Sequence, residues 1–474
     1  MLFNSYVFIL FFIIVLFLHN LPLKWHLKKT NLLCASYFFY SAWNPPFVFI
    51  LWTSTVVDWF VGLYLYRVRN NLARNLLLAV SLCVNLGLLC FFKYAGFLLE
   101  GFAALMKFYH LDFKPCAPDI ILPVGISFYT FQTLSYTLDI YQRRIKPWHS
   151  FLDYALYVTF FPQLVAGPIV RASDFLPQCI RVCKATWNQM AWGISLFVLG
   201  LFEKIVVADG LLAPVSDAIY NTCGYPDFVS SWCATFAFSG QIFCDFAGYS
   251  TCAIGVAMCL GFSLPDNFNY PYASVGFSDF WQRWHISLSS WLRDYLYFPL
   301  GGNRCGILRN NYNLMMTMLL CGLWHGASWT FVAWGGLHGL YLVAQRALKT
   351  TVPDFSIWRT TLSKIIFAFL TYLLVSFAWV FFRSKTFDQA FLMIQTMLGM
   401  GSKTPGLYLC PMDVYVTVLL TSLIFVIHWS MKDRSLEKIA ERVPAWLISV
   451  IVAGMLVLIV TLAGEDRAFI YFRF

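Results

Sequence analysis

Long apolar blocks separated by short polar breaks run the length of the chain, at 5–18, 46–66, 75–92, 190–202, 228–244, 361–382, 414–428 and 445–463. Each is near the roughly 17–25 residues that a helix needs to cross a bilayer, or reaches that length with polar ends. The alternation of a membrane barrel, sustained over about ten residues at a time, is absent. In lipid a helix satisfies its own backbone within one segment. The pattern therefore predicts an all-α polytopic membrane protein, a helical bundle of roughly 10 to 13 membrane segments.

Pro and Gly interrupt the apolar pattern in the middle third, in "ILPVGISFYTFQTLSYTLDIYQRR" (121–144), "FFPQLVAGPIVR" (160–171) and "LGFSLPDNFNYPYAS" (260–274). Broken or re-entrant helices are tolerated in a membrane where protein or a water-filled cavity satisfies the released backbone groups, so a cavity is expected near the centre. No repeat or low-complexity linker divides the chain. It reads as one membrane domain, 1–474, with N-terminal spans over 1–120, a core over 121–345 and C-terminal spans over 346–474. Within the core, 276–313 is the most polar long piece. It alternates Asp279, Arg283, Arg293, Asp294, Arg304 and Arg309 with Trp281, Trp284, Trp291, Tyr295 and Tyr297, which predicts amphipathic helices lying at an interface or dipping partly into it.

Composition sharpens this picture. Charged residues make up 12% of the chain and hydrophobic ones 59%, whereas a soluble domain is roughly 25% charged, so an ordinary soluble enzyme is excluded. The net charge of +10 fits positive-inside topology and an attraction for anionic headgroups or a phosphorylated cofactor. Lys24, Lys28 and Lys29 follow the first apolar run, which lacks a basic start and a small-residue cleavage site. It reads as a retained first helix with the N-terminus outside. Lys432, Arg434, Lys438 and Arg442 place the C-terminus in the cytoplasm. No basic stripe with exposed aromatic platforms points to nucleic acid. The 14 cysteines lack paired spacing and read as small packing residues, with no metal site.

Against this apolar background a few polar residues stand out. "LLCGLWHGASWTFVAWGGLHGLY" (319–341) carries His325 and His338. A neutral imidazole accepts a proton near physiological pH and is the usual general base. Gly322, Gly326 and Ala327 around His325 leave room for a ligand to approach the backbone. The alternative, a helix-to-helix hydrogen bond, stays the first reading for His338. His285 lies 40 residues before His325, in the amphipathic stretch, and is a second candidate base. Gln241 and Asp245 lie four apart on one helix face. A carboxylate at mid-bilayer costs roughly 2.5–3.5 kcal/mol, so Asp245 is expected to face the bundle interior and a partner, either structurally or at a substrate. "PLGGNRCG" (299–306) lacks the spacing of a phosphate loop but sets Asn303 and Arg304 in flexible backbone, suited to a pyrophosphate contact.

Several blocks together carry a family resemblance: "YVTFFPQLVAGPIVR" (157–171), "QIFCDFAGYSTCAIGVAMCLGF" (241–262), "NFNYPYASVGFSDFWQRWHISLSSWLRDYLYFPLGGNR" (267–304), "GLWHGASWTFVAWGGLHG" (322–339), "AWVFFRS" (378–384) and "FIYFRF" (469–474). The chain resembles the membrane-bound O-acyltransferase (MBOAT) family and, within it, the bacterial alginate O-acetyltransferase (AlgI-like) branch. Arg473 departs from the glutamine expected in that branch. The resemblance implies a bundle with a central funnel, in the bacterial inner membrane among its lipids. Through it an acetyl group passes from a cytoplasmic donor, acetyl-CoA, toward an extracytoplasmic polysaccharide such as alginate, with a separate periplasmic or extracellular acetyltransferase as partner. No cofactor is bound; the acyl donor is a substrate. Peptidoglycan or another cell-wall acceptor, and D-alanyl transfer to teichoic acid, remain alternatives, as does a flippase for a lipid-linked sugar. The family's histidine of the "WHG" motif falls on His325 and that of "RWHIS" on His285. Trp324, Gln241, Asp245, Arg283, Arg293, Asn303 and Arg304 are the candidate contacts for donor or acceptor.

Overall fold

A computed structural model of the chain describes all residues except 112, 114–119, 223, 352–359, 401–405, 407, 463–466, 468 and 471–474. Arg473 lies outside the described residues. Helices and turns make up the described chain, with no strand among them. Phe47–Arg67, Asn71–Phe108, Phe228–Cys259, Thr361–Arg383 and Pro411–Met431 are long and apolar enough to cross a membrane, and Tyr6–Asn20 and Ala445–Thr461 are shorter apolar helices. The protein is thus an all-α multi-pass membrane protein. Its five spans by length and composition are fewer than the 10 to 13 segments expected. Several helices of the core are too short or too polar for that test. Ile126–Tyr141, for example, buries Thr130, Gln132, Thr133, Ser135 and Asp139, side chains that other protein groups, not lipid, must satisfy.

The described chain divides into two compact units, Met1–Phe197 with Cys252–Pro265, and Val198–Thr251 with Asp266–Phe474. In the first, the helices Phe47–Arg67, Asn71–Leu89 and Ile126–Tyr141 pack on one another around a fully buried carboxylate, Asp58. Ser81 Oγ donates to Asp58 Oδ1 at 2.5 Å and Asn85 Nδ2 to its Oδ2 at 2.8 Å. Asn85 Oδ1 in turn accepts from Ser54 Oγ at 2.6 Å and Thr133 Oγ1 at 3.1 Å. Every element of the trio is thereby cross-linked by neutral donors, as an intramembrane charge requires. The Pro/Gly-broken stretch lies inside an unbroken run of buried residues, 153–170, consistent with irregular backbone being tolerated where protein encloses it. Gly125, at φ +77°, starts Ile126–Tyr141 where a Cβ would meet the Leu164 carbonyl oxygen at 2.5 Å. Only glycine meets both demands.

The second unit centres on a helical hairpin, Ile307–His325 and Trp329–Thr351, packed against Thr361–Arg383 and Phe277–Arg283. A Cβ on Gly322 would lie 2.2 Å from the Phe331 carbonyl oxygen, and one on Gly335 2.2 Å from that of Met318. The two backbones touch at this crossing, which small residues alone permit. His325 is the last residue of its helix, a turn beyond the contact. In the 276–313 stretch the protein itself covers much of the aromatic surface. Trp281 on Phe277–Arg283, Trp291 on Ile286–Leu292 and Trp284 in the link between these helices are buried. These indoles pack on other rings of the unit, Trp284 on Phe280 at 5.5 Å and on Trp379 at 5.2 Å. Ser278, Gln282 and Arg293 are exposed along it, and exposure is greatest in the later part, around Asn303, Arg304 and Arg309.

Candidate active site

His285 sits between Phe277–Arg283 and Ile286–Leu292 in the left-handed region, φ +43°, ψ +57°. For a non-glycine residue this costs roughly 1–3 kcal/mol and persists where surroundings over-determine it. They do so through the segment before it: Ile286 N donates to Asn267 O at 2.9 Å and Asn269 N to Arg283 O at 2.9 Å. The same Asn267 sets the ring. Its Nδ2 donates to Ser250 Oγ at 3.2 Å, and its Oδ1 accepts from Ser287 Oγ at 2.9 Å and faces His285 Nδ1 at 3.0 Å. An amide oxygen only accepts, so Nδ1 carries the proton and Nε2 the lone pair. Complete burial pushes the imidazole down to about 3, because a cation there would lose its hydration. His285 is a neutral ring of fixed tautomer.

His325, 2% exposed, is walled by aromatic rings. Trp324 lies 4.9 Å away, Trp334 5.1 Å and Phe382 5.4 Å, each edge-on. Phe331 packs on Phe382 at 4.7 Å, and a Cβ on Gly326 would strike the Phe331 ring at 2.1 Å. Trp324 faces both histidines, its ring 6.0 Å from that of His285. Phe246 also packs edge-on against His285, at 4.6 Å. The two histidines expected from the sequence are therefore brought into one aromatic cluster in the second unit, where both pack on the Trp324 indole.

The remaining candidates divide. Asp245 is bound to a buried cation: Lys204 Nζ reaches its Oδ1 at 2.6 Å and Asp209 Oδ2 at 2.9 Å. Asp245 Oδ2 accepts from Ile470 N at 2.7 Å. Gln241, one turn earlier on Phe228–Cys259, is buried, and its Oε1 has no hydrogen-bond partner among the described residues. Arg283 spans Asp279 Oδ1 at 2.8 Å and Lys432 O at 2.9 Å. Arg293 Nε pairs with the neighbouring Asp294 at 2.7 Å. Asn303 and Arg304 are exposed on the turn before Ile307–His325. Sequence reasoning missed Asn267, Ser287 and Ser250, and the rings of Phe246, Trp334 and Phe382. Asn267 was visible as an amide next to the apolar "FNYP" run, but nothing local tied it to a histidine 18 residues on.

An imidazole packed among aromatic rings near a second, orientation-locked imidazole is an arrangement that can support proton transfer. Among the described residues no group of three or more His, Cys, Asp or Glu could hold a metal ion. Residues 138–384 match the family described as MBOAT, membrane-bound O-acyltransferase family. The chain is 37% identical over 441 residues to the peptidoglycan O-acetyltransferase of Helicobacter pylori, covering 86% of this chain and 81% of that protein. It is 38% identical over 408 residues to the probable alginate O-acetylase AlgI of Azotobacter vinelandii, covering 85% and 79%. Identity to the teichoic acid D-alanyltransferase of Bacillus subtilis is 26% over 292 residues, covering 57% and 70%.

Proposed function

The chain belongs to the membrane-bound O-acyltransferase family and is a membrane acyltransferase, and from that premise we propose that it moves an acetyl group from cytoplasmic acetyl-CoA to a hydroxyl of an extracytoplasmic polysaccharide. It does so in the bacterial inner membrane, N-terminus outside and C-terminus in the cytoplasm. The polymer is of the class named for its relatives, alginate or peptidoglycan, and a separate periplasmic or extracellular protein completes delivery.

His325 hydrogen-bonds the acceptor hydroxyl. As that oxygen attacks the thioester carbonyl carbon, the imidazole takes the proton. The carbon–sulfur bond breaks, and the proton passes to the leaving sulfur, which restores the neutral ring. General-base help of this kind contributes about 10²–10⁴-fold. His285, with its lone pair on Nε2, accepts a hydrogen bond from the substrate and holds it in place. Gln241 Oε1 supplies a further acceptor for a hydroxyl. Exposed Arg304, with Asn303, meets the donor's phosphates, and Arg283 and Arg293, each paired with a carboxylate, add positive charge to that approach. The observation that carries the reading is the Trp324 ring facing both imidazoles, 4.9 and 6.0 Å away.

The test is acetyl-CoA turnover in nanodiscs by the wild type and a size-exclusion-matched His325→Ala variant, with alginate or peptidoglycan fragments and a cell-envelope extract as acceptor source. Turnover lost in the variant supports the assignment. A folded His325→Ala protein with full turnover rejects it.

A further inference from the structure

His428 has no part in the proposed reaction, yet it meets the far end of the segment that holds His285. It is buried near the end of Pro411–Met431, and its Nδ1 lies 3.2 Å from the backbone nitrogen of Tyr272. A backbone N–H only donates, so Nδ1 accepts and the ring carries its proton on Nε2. That is the opposite tautomer to His285. Phe243 packs edge-on against the imidazole at 4.5 Å and Tyr272 stacks on it at 5.5 Å. As the second residue of the short turn Pro271–Ala273, Tyr272 has no partner within that turn for its N–H. The imidazole supplies the acceptor that the turn cannot.

Four non-glycine residues among those described take a positive φ, and two of them, Tyr270 at +49° and His285 at +43°, lie in one pair of chain segments. This conformation is uncommon for a residue with a side chain, and it persists where the surroundings enforce it. The segments 267–272 and 283–286 are joined by Asn269 N donating to Arg283 O and Ile286 N to Asn267 O, both at 2.9 Å. The end of Pro411–Met431 and the residue after it grip both segments. His428 Nδ1 accepts from Tyr272 N on one, and Lys432 O accepts from Arg283 Nη1 at 2.9 Å on the other. The first of these segments carries Asn267, whose Oδ1 faces His285 Nδ1 at 3.0 Å.

We propose that His428 is a positioning residue for acyl transfer: by holding Tyr272 it fixes the 267–272 segment, so that Asn267 keeps the His285 lone pair turned toward the substrate. The inference rests on the substrate contact given to His285 above.

The test compares the wild type in nanodiscs with His428→Phe, which keeps a ring and removes the acceptor, and with His428→Asn, whose Oδ1 stands as many bonds from Cα as Nδ1 does. By analogy with partners that orient metal-bound histidines, acetyl-CoA turnover should fall about ten-fold in His428→Phe and return to within about two-fold of the wild type in His428→Asn. Added to Asn267→Ala, His428→Phe should cost nothing further, because both act through the same ring. Nitrogen-15 spectra of histidine-labelled protein read that ring without turnover. The His285 signals, identified by their loss in His285→Asn, should show one tautomer in the wild type and a mixture in His428→Phe. Full turnover in His428→Phe, an equal penalty in His428→Asn, a penalty that multiplies with that of Asn267→Ala, or an unchanged His285 spectrum overturns the proposal. If His428→Phe does not fold, His428→Leu, which needs less room beside Phe243, carries the same comparison. A wild type that turns over no acetyl-CoA overturns the donor reading instead, and the nitrogen-15 comparison then decides the role of His428.

Discussion

Gly335→Ala and Gly336→Ala are adjacent changes with opposite expected outcomes. A Cβ at Gly336 meets only Leu319 Cδ2, at an ordinary 3.5 Å, whereas one at Gly335 lies 2.2 Å from Met318 O and 3.1 Å from the Cα and N of Gly322. Those obstacles are backbone and cannot rotate aside. Carbon and carbonyl oxygen settle at about 3.3–3.6 Å, so the hairpin must open by about 1 Å at its crossing. Alanine gains about 1 kcal/mol of helix propensity over glycine, and overpacking costs about 1–3 kcal/mol. Gly335→Ala is then neutral to about 2 kcal/mol destabilising, and Gly336→Ala up to about 1 kcal/mol stabilising. Chemistry suffers more than stability, because Trp334 is the neighbour of Gly335 and packs on His325 at 5.1 Å. A displacement of about 1 Å at a reacting group costs about 100-fold in rate. The assay pairs thermal unfolding in detergent with acetyl-CoA turnover in nanodiscs. A Gly335→Ala protein that melts at or above Gly336→Ala and keeps wild-type turnover refutes the close-contact argument.

Three further outcomes follow from the same geometry. Asn267→Ala removes the acceptor that fixes the His285 tautomer and should lower turnover by about 10–100-fold, by analogy with partners that orient metal-bound histidines; an unchanged initial rate shows that the tautomer does not matter. Lys204→Met strands Asp209 and Asp245 without their cation and should cost about 3–5 kcal/mol; it should melt below the double variant Lys204→Met/Asp245→Asn, and the reverse order refutes the pairing. For His285, folded near 3 and unfolded near 6.5, the unfolded chain binds the extra proton between those values. Its stability contribution is whole above pH 6.5 and falls by about 2 kcal/mol by pH 5. His285→Asn should therefore show a smaller drop in Tm between pH 7.5 and pH 5 than the wild type, and equal drops refute this sign.

The helical class and both clustered histidines were legible because each is a local contrast: polar atoms in apolar blocks, Pro and Gly in mid-run. The 160–171 stretch announced its enclosure in the same way. What stayed hidden depends on the third dimension. The indoles of 281, 284 and 291 stand in a polar stretch, yet all are buried, Trp284 against Trp379 and Trp281 against Trp334, both far away in sequence. Asp245 declared its need for a partner but not its identity, since Lys204 lies on a separate helical run, Phe202–Leu212. Gly335 and Gly336 are indistinguishable in the sequence, and only the crossing separates them. Polar core helices such as Ile126–Tyr141 fall outside a count of spans by length and composition.

The Asp58 network bears on how the protein enters its membrane during synthesis. Inserted alone, Phe47–Arg67 would carry a bare carboxylate into hydrocarbon at a cost of roughly 2.5–3.5 kcal/mol. Ser81 and Asn85, which donate to both carboxylate oxygens, sit in the very next helix to be made. The insertion machinery thus receives a hairpin whose second arm neutralises the defect of its first, and the two arms partition into the bilayer together. A nascent chain stopped short of residue 81 should leave Phe47–Arg67 lingering at the aqueous boundary, while one that extends past Leu89 should integrate.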